Sequence, residues 1–311
     1  MGLAAISVDL DSLPHYCRIH GLPESMLDAS ARRLVYAVAV PRLMRLFEEL
    51  AVPATFFAIG EDLEDALAAH MARQAAESGI ELGNHSFFHD YALTRQAPLA
   101  MAEDVRRGSA AIARAAGAAP AGFRAPGYTL TGALYRVLED DGYLYDSSAY
   151  PAVPYYLAKA AVMGALALGG SPSRAVLDSP WVLGAPVAPY RPDSAQPYRR
   201  GAGRVLELPI TTSGVTRAPF IGTLVVALPL GATRVAYSLA RRTPLFNFEL
   251  HAVDVLDEQD GIPRALVRRQ RDLAIPHARK LERLRTVFGW LKADFECVTL
   301  HQAARKLAEM V

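Results

Sequence analysis

Short apolar runs alternate with longer amphipathic stretches along most of the chain, and the two periods separate well. Leu3 to Leu10 reads as a strand, as do Pro53 to Ile59, Ile80 to Gly83, Ala121 to Arg124, Tyr143 to Asp146, Val205 to Ile210, Pro244 to Leu250 and Phe295 to Thr299. Helical patterns lie between them. From Ala31 to Leu50 the spacing Leu43, Leu46, Phe47, Leu50 forms one apolar face. Glu61 to Ser78 opens with acids, which suit the positive end of a helix, and stops at Gly79. Pro98 to Ala116 starts on a proline, whose missing N–H would be unpaired in a first turn anyway. Thr131 to Asp141 has Thr129 and Thr131 as candidate caps, and a basic helical region and a terminal helix flank the last strand. Strands alternating with helices of this length predict an α/β fold, a parallel sheet covered by helices. Seven or eight such units could close into a barrel, and that reading is favoured over an open doubly wound sheet. No Gly-x-Gly-x-x-Gly follows the first strand, which counts against a dinucleotide site.

One segment breaks the rhythm. Between about 150 and 204 the chain carries Ala160-Ala-Val-Met-Gly-Ala-Leu-Ala-Leu168 and then many prolines and tyrosines. A structureless loop of that length is unusual in a compact domain, so this is expected to be an insertion with its own short helix in a single barrel domain spanning 1–311. A second apolar stretch, Ala218 to Ala232, contains Pro219 and Pro229. Neither stretch reaches the ~18–20 apolar residues of a bilayer span. No transmembrane segment is expected, although peripheral membrane contact near Met163 and Val225 stays open.

Composition narrows the function classes. Hydrophobic residues make up 51% and charged residues 21%, which excludes a disordered chain. Thirty-three basic against thirty-two acidic residues leave a formal charge of +1, without the electrostatic footprint of a nucleic-acid binder. Cys17 and Cys297 are too few for a disulfide framework or a thiolate metal site. The start MGLAAISVDLDSL lacks the basic opening of a secretory signal and meets carboxylates within a few residues, so a cytoplasmic location is expected.

Five polar clusters fall where predicted strands end. In Ser7-Val-Asp9-Leu-Asp11 the period of two turns the serine and both aspartates to one face, where neighbouring carboxylates repel unless a cation or proton compensates. His85-Ser-Phe-Phe-His89 has the four-residue spacing that puts two imidazoles on one side of a helical turn. Gly122-Phe-Arg124-Ala-Pro126-Gly127-Tyr128 offers a guanidinium fork on a stiffened loop with a close-approach glycine. In Asn247-Phe-Glu249-Leu-His251 alternate residues again share a face, and a polar face on an inner strand is costly unless it lines a site. Tyr143-Leu-Tyr-Asp146-Ser-Ser148 is the fifth. Taken singly, each also suits a structural role: a capped turn, an exposed histidine pair, a surface arginine, a core histidine paired with Glu249, an Asx turn. Together they share one rim of a parallel barrel, the rim that carries active sites, and two histidines with one carboxylate form a three-ligand set with open positions. That combination points to a metal-dependent enzyme.

In these motifs, in this order, the chain resembles the polysaccharide deacetylases, carbohydrate esterase family 4. Val52-Pro-Ala-Thr-Phe-Phe57 and Glu81-Leu-Gly-Asn-His85 add to the likeness, which covers roughly residues 3 to 150 and 204 to 300. The resemblance implies a distorted (β/α) barrel of about seven parallel strands in which Asp11, His85 and His89 bind one divalent metal ion; oxygen and imidazole donors leave zinc, taken first, with Co, Ni, Mn and Fe as candidates. It further implies that Asp9 is the general base, that Arg124 orients it, that the Gly127 amide helps bind an oxyanion and that His251 is the general acid. Tyr128, Asp146 and Glu249 are taken as substrate-binding candidates. The family's usual adjacent aspartates are here Asp9-Leu-Asp11, a spacing found in branches that include deformylases of lipid-linked amino sugars and hydrolases of cyclic imides or allantoin. The family's Asp-Trp motif near the acid histidine is not evident, and Glu249 or Asp146 is expected to stand in for it. The implied activity is removal of an acetyl or formyl group from an N-acylated sugar or glycoconjugate, lipid-linked or not. A small cyclic amide or imide hydrolase and a catalytically silent glycan-binding barrel are the alternatives.

Overall fold

The computed structural model describes residues 2–168 and 176–309. Its strands are β1 (Gly2–Asp9), β2 (Ala54–Ala58), β3 (Glu81–Asn84), β4 (Gly122–Phe123), β5 (Tyr145–Asp146), β6 (Leu206–Glu207), β7 (Leu245–His251) and β8 (Phe295–Val298). All pair in parallel in the order β6-β5-β4-β3-β2-β1-β7. β8 shares an edge of β1 with β2: residues 2–5 of β1 pair with β8, and residues 6–9 pair with β2. β6 and β7 form no ladder. Thr211 N–H donates to Asn247 O at 3.0 Å, and Asn247 Nδ2 donates to Leu208 O at 3.0 Å, so two bonds join the sheet's ends into a distorted barrel.

Period-two patterning decides what faces inward. Along β1 the residues Ala4, Ile6 and Val8 pack outward with the surrounding helices, as do Phe246, Phe248 and Leu250 of β7. The other faces of the two strands meet in register, Leu3 with Leu245, Ala5 with Asn247, Ser7 with Glu249 and Asp9 with His251. The interior therefore grades from apolar to polar. At the bottom, Leu3, Ala5, Phe57, Tyr145, Leu206 and Leu245 pack against Leu300, Ala303, Ala304 and Leu307 of the terminal helix Leu300–Leu307. Glu81 anchors that plug by accepting from His301 N–H at 2.9 Å and Tyr145 Oη at 2.6 Å.

Several helices differ in detail from the sequence expectation. The stretch from Ala29 to Leu50 is helical but contains a π-type turn, Val35–Ala39. The helix expected from Glu61 begins at Ala66, because Asp65 is extended and caps it through Leu67 N–H. Thr131 caps the helix Gly132–Asp140. In the segment 150–204 the helix is Val153–Leu168, longer than a short insertion helix, and the part of the segment at 169–175 lies outside the described residues. No helix among the described residues is long and apolar enough to cross a membrane.

Candidate active site

The ends of β1, β3, β4 and β7 bring the sequence motifs to one place. Asp11 follows β1 and is 2% exposed; His85 and His89, in the loop after β3, are buried too. Asp11 Oδ1 lies 3.5 Å from His85 Nε2 and 3.3 Å from His89 Nε2. The two imidazoles are not on a helical turn, contrary to the spacing argument. Residues 85–89 form an irregular loop in which Ser86 and His89 adopt left-handed backbone angles (φ 65° and 52°). Asp104, on the helix Pro98–Ala116, holds that loop by accepting from the N–H groups of Phe87 (2.8 Å) and Phe88 (3.3 Å). Ser86 Oγ accepts from His89 N–H at 3.0 Å. His15, another buried ring, packs edge-on against His89 with centroids 4.8 Å apart.

These three side chains suit a cation. His85 Nδ1 contacts the Arg124 carbonyl at 2.7 Å, a donor arrangement that leaves the Nε2 lone pair free toward Asp11. Asp11 Oδ1 is buried without a hydrogen-bond partner. Burial would raise the Asp11 carboxyl, but His89 and His85 outweigh it and hold the group far below the carboxylate range. Burial pushes His89 well below the ordinary imidazole range, which favours a neutral ligand. A buried carboxylate oxygen and two imidazole nitrogens, all within 4.8 Å of one another, are placed where they could hold one divalent ion.

Beside this set, Arg124 is fully buried and its side chain makes four hydrogen bonds. Nη1 donates to Asp9 Oδ1 at 2.6 Å, Nη2 to Ser7 Oγ and Ser147 Oγ at 2.9 Å each, and Nε to Ser147 O at 2.9 Å. The guanidinium carbon lies 4.2 Å from the centroid of the Phe57 ring. Burial opposes the charge, but Asp9 and Glu249 outweigh it. Asn247 completes the cradle, accepting from Ser7 Oγ and donating to Ser147 Oγ. On the other flank, His251 Nδ1 lies 2.9 Å from Glu249 Oε1 in a close contact that falls short of a hydrogen bond. Burial would lower the His251 pKa, but Glu249 and the nearby aspartates raise it well above the imidazole range.

Of the remaining predicted residues, Gly127 and Tyr128 line the cavity, both with left-handed angles, and the Tyr128 hydroxyl stands between Asp9 and His251. Glu249 touches His251 and does not line the cavity. Asp146 is not brought to the site. It is fully buried beside Glu207, accepts from Ser148 Oγ at 2.7 Å, and is pushed up by burial. The cavity measures about 500 Å³, and its walls include residues the motifs do not contain: Tyr16, Tyr91, Pro154, Tyr155, Ala158, Pro219, Ile221, Leu224 and Gln270. Tyr91 lies two positions past His89, and Pro154, Tyr155, Ala158, Pro219, Ile221 and Leu224 lie in the two stretches that break the sequence rhythm.

The chain is similar to known proteins in both sequence and fold. Residues 34–145 match the model of the polysaccharide deacetylase family. A peptidoglycan deacetylase from Helicobacter pylori (strain ATCC 700392 / 26695) is 28% identical over 158 residues, 50% of this chain and 53% of that protein. The chain thus spans about half the length of that curated relative. Among solved structures, a Mycobacterium smegmatis protein assigned to the polysaccharide deacetylases superposes with a TM-score of 0.64 at 17% identity, covering 99% of this chain and 90% of that one. Puue allantoinase superposes with a TM-score of 0.61 at 14% identity, covering 98% and 89%; at these identities both likenesses speak for the fold alone. The fold is thus shared along nearly the whole chain, while the sequence match to the polysaccharide deacetylase family runs from 34 to 145.

Proposed function

We propose that this chain is a metal-dependent hydrolase that removes an N-acyl group, acetyl or formyl, from an amino sugar or glycoconjugate in the cytoplasm. The observation that carries the proposal is the convergence of Asp11, His85 and His89 beside a carboxylate locked by an arginine and a histidine paired with a glutamate. Asp11, His85 and His89 would hold the ion, with zinc, cobalt, nickel, manganese and iron all compatible with oxygen and imidazole donors. When bound, such an ion supplies Lewis acidity and lowers the pKa of water. The protein groups do the rest. Arg124 fixes Asp9 through Oδ1, which leaves Oδ2 to take a proton from the attacking water. The loop at Gly127 presents backbone against the cavity, so its N–H is the donor for the developing oxyanion. His251, kept protonated beside Glu249, gives its Nε2 proton to the departing nitrogen.

The test is metal content by mass spectrometry together with turnover. Wild type is expected to hold about one divalent ion per chain, His89→Ala and Asp11→Ala to lose it, and Asp9→Asn to keep it while losing activity. Near-normal turnover in Asp9→Asn would remove Asp9 as the base.

A second substrate class is favoured by the cavity itself. Its walls come from the segments after β1, β3, β4, β5, β6 and β7. About 500 Å³ suits a drug-sized ligand, and the tyrosine, proline and aliphatic walls suit a compact amide or cyclic imide better than a polymer. Turnover of N-acetylhexosamine oligomers against small imides separates the two. A lipid-linked sugar would meet exposed Leu157 and Val162 on the helix that walls the cavity, and liposome flotation tests that version.

A further inference from the structure

The Tyr128 hydroxyl touches both groups assigned to move protons. Its Oη lies 3.4 Å from Asp9 Oδ2 and 3.3 Å from His251 Nε2. Asp9 and His251 make no direct hydrogen bond or ion pair among the described residues, so this hydroxyl is the protein bridge between them. Distances of this length are typical of a site without substrate, where catalytic hydrogen bonds tighten only in the reacting complex.

The backbone shows how firmly the hydroxyl is placed. Gly127 and Tyr128 are both left-handed, at φ 66° and 61°. Glycine takes that conformation freely, whereas a bulky L-residue there is strained. Such strain persists only where the surroundings over-determine it. Here the Tyr128 ring stands edge-on to Tyr150 with centroids 5.5 Å apart, its N–H donates to Ala125 O at 3.0 Å, and the side chain is 8% exposed. A tyrosine serving only as wall could sit on an unstrained backbone. This one is turned inward to put a hydroxyl between an acid and an imidazole.

We propose that Tyr128 is a catalytic residue whose hydroxyl returns a proton from Asp9 to His251 after each cleavage. The proposal rests on the hydrolytic function above. In that reaction Asp9 gains a proton from water and His251 loses one to the leaving nitrogen, so each ends the cycle in the wrong protonation state. The return step balances without a co-reactant. The Oδ2–H bond of Asp9 breaks as its proton joins Tyr128 Oη, while the Tyr128 O–H bond breaks and that proton joins His251 Nε2. The tyrosine ends as it began, and the Asp9 carboxylate and the imidazolium are restored.

Tyr128→Phe tests this, because it keeps the ring and its packing and removes only the hydroxyl. The first measurement uses metal-free protein and no substrate: the His251 Nε2 signal in ¹⁵N-histidine NMR, assigned with His251→Gln. A shifted His251 signal with His20 and His277 unmoved is expected; an unmoved His251 signal overturns the bridge. The second is steady-state hydrolysis of N,N′-diacetylchitobiose and p-nitroacetanilide in H₂O and D₂O mixtures. The variant is expected to lose at least about tenfold in kcat with KM within about twofold, and its proton inventory is expected to turn from curved to linear. Unchanged kcat and inventory overturn the relay even if the NMR signal shifts. A wild type that hydrolyses neither probe counts against the hydrolytic function instead, and the imidazole signal then decides the bridge alone.

Discussion

Arg124 is where stability and chemistry depend on the same four hydrogen bonds. Arg124→Met keeps the length and apolar stem but removes the guanidinium. Ser7 Oγ and Ser147 Oγ retain other partners, Asn247 Oδ1 and Leu208 O, so their loss is small. The Ser147 carbonyl is left without its Nε donor, which costs about 1–3 kcal/mol for a buried group. Asp9, 1% exposed, is left as a buried charge without its cation, and breaking such a pair by removing one partner costs about 3–5 kcal/mol. The sum, about 4–8 kcal/mol, is a large part of the ~5–15 kcal/mol that holds an ordinary domain together. Most of it comes from stranding the carboxylate rather than from the bond itself. Asp9→Asn should therefore rescue much of the loss, and the double variant should be about 2–4 kcal/mol more stable than the sum of the single losses. The assay is urea denaturation followed by circular dichroism, on metal-free protein in chelator at pH 7, so that ion binding does not contribute. Arg124→Lys supplies a folded reference, since a lysine keeps the charge but not the fork. A loss under about 1 kcal/mol in Arg124→Met, or strict additivity in the cycle, would refute the reasoning.

Three further outcomes follow from the same geometry. Asp146 and Glu207 are both raised by burial, Glu207 also by Asp146, so their stabilisation is complete below the ordinary carboxylate range and fades as pH rises through the folded values. Glu207→Gln should therefore gain in Tm relative to wild type as pH rises above the ordinary carboxylate range, and a pH-independent difference by calorimetry would contradict this. His251 is lowered by burial but raised overall by Glu249, so its acid form survives to higher pH; Glu249→Gln should move the alkaline limb of kcat/KM downward, and an upward shift would remove Glu249 as its partner. Gly127→Ala puts a Cβ 2.5 Å from Tyr91 Cδ1 at a φ of 66°, and urea unfolding should show a loss of about 1–3 kcal/mol; a loss under about 0.5 kcal/mol would show that Tyr91 yields freely.

The residues that were legible in the sequence are those whose placement follows from one strand's own period. Ser7 and Asp9 on β1, and Asn247, Glu249 and His251 on β7, point inward because alternate positions must, and the register of the two strands adds nothing that the alternation had not implied. The His85–His89 spacing marked two rings that do lie together, with centroids 4.7 Å apart, but not through a helical turn. Two left-handed residues bring the rings together, and the carboxylate that holds the loop, Asp104, comes from a helix whose amphipathic pattern gives no hint of that task. Asp146 misled for the complementary reason. It ends a strand as the other site residues do, but its fate is set by Glu207, sixty-one positions later and beyond the irregular segment. Local pattern reports which way a side chain points, not what it meets.

The same distinction separates chemistry from selectivity in this barrel. The polar groups that would move protons sit on β1 and β7 or directly after β1, β3 and β4, where strand period and short motifs constrain them. The walls that size the cavity come from Val153–Leu168 and the stretch 219–224, apolar segments whose sequence fits a core helix, a cover loop or a membrane-facing surface equally well. Pro154, Tyr155 and Ala158 face the site while Leu157 and Val162 of the same helix face solvent, so the helix is apolar on both sides and its hydropathy alone cannot tell inside from outside. Only the fold assigns the two faces. Trimming the inner one, for example Tyr155→Ala, should enlarge the range of amides accepted while the donor set at Asp11, His85 and His89 keeps its affinity for a divalent ion. A loss of metal in that variant would show that the wall and the donor set are one structure rather than two.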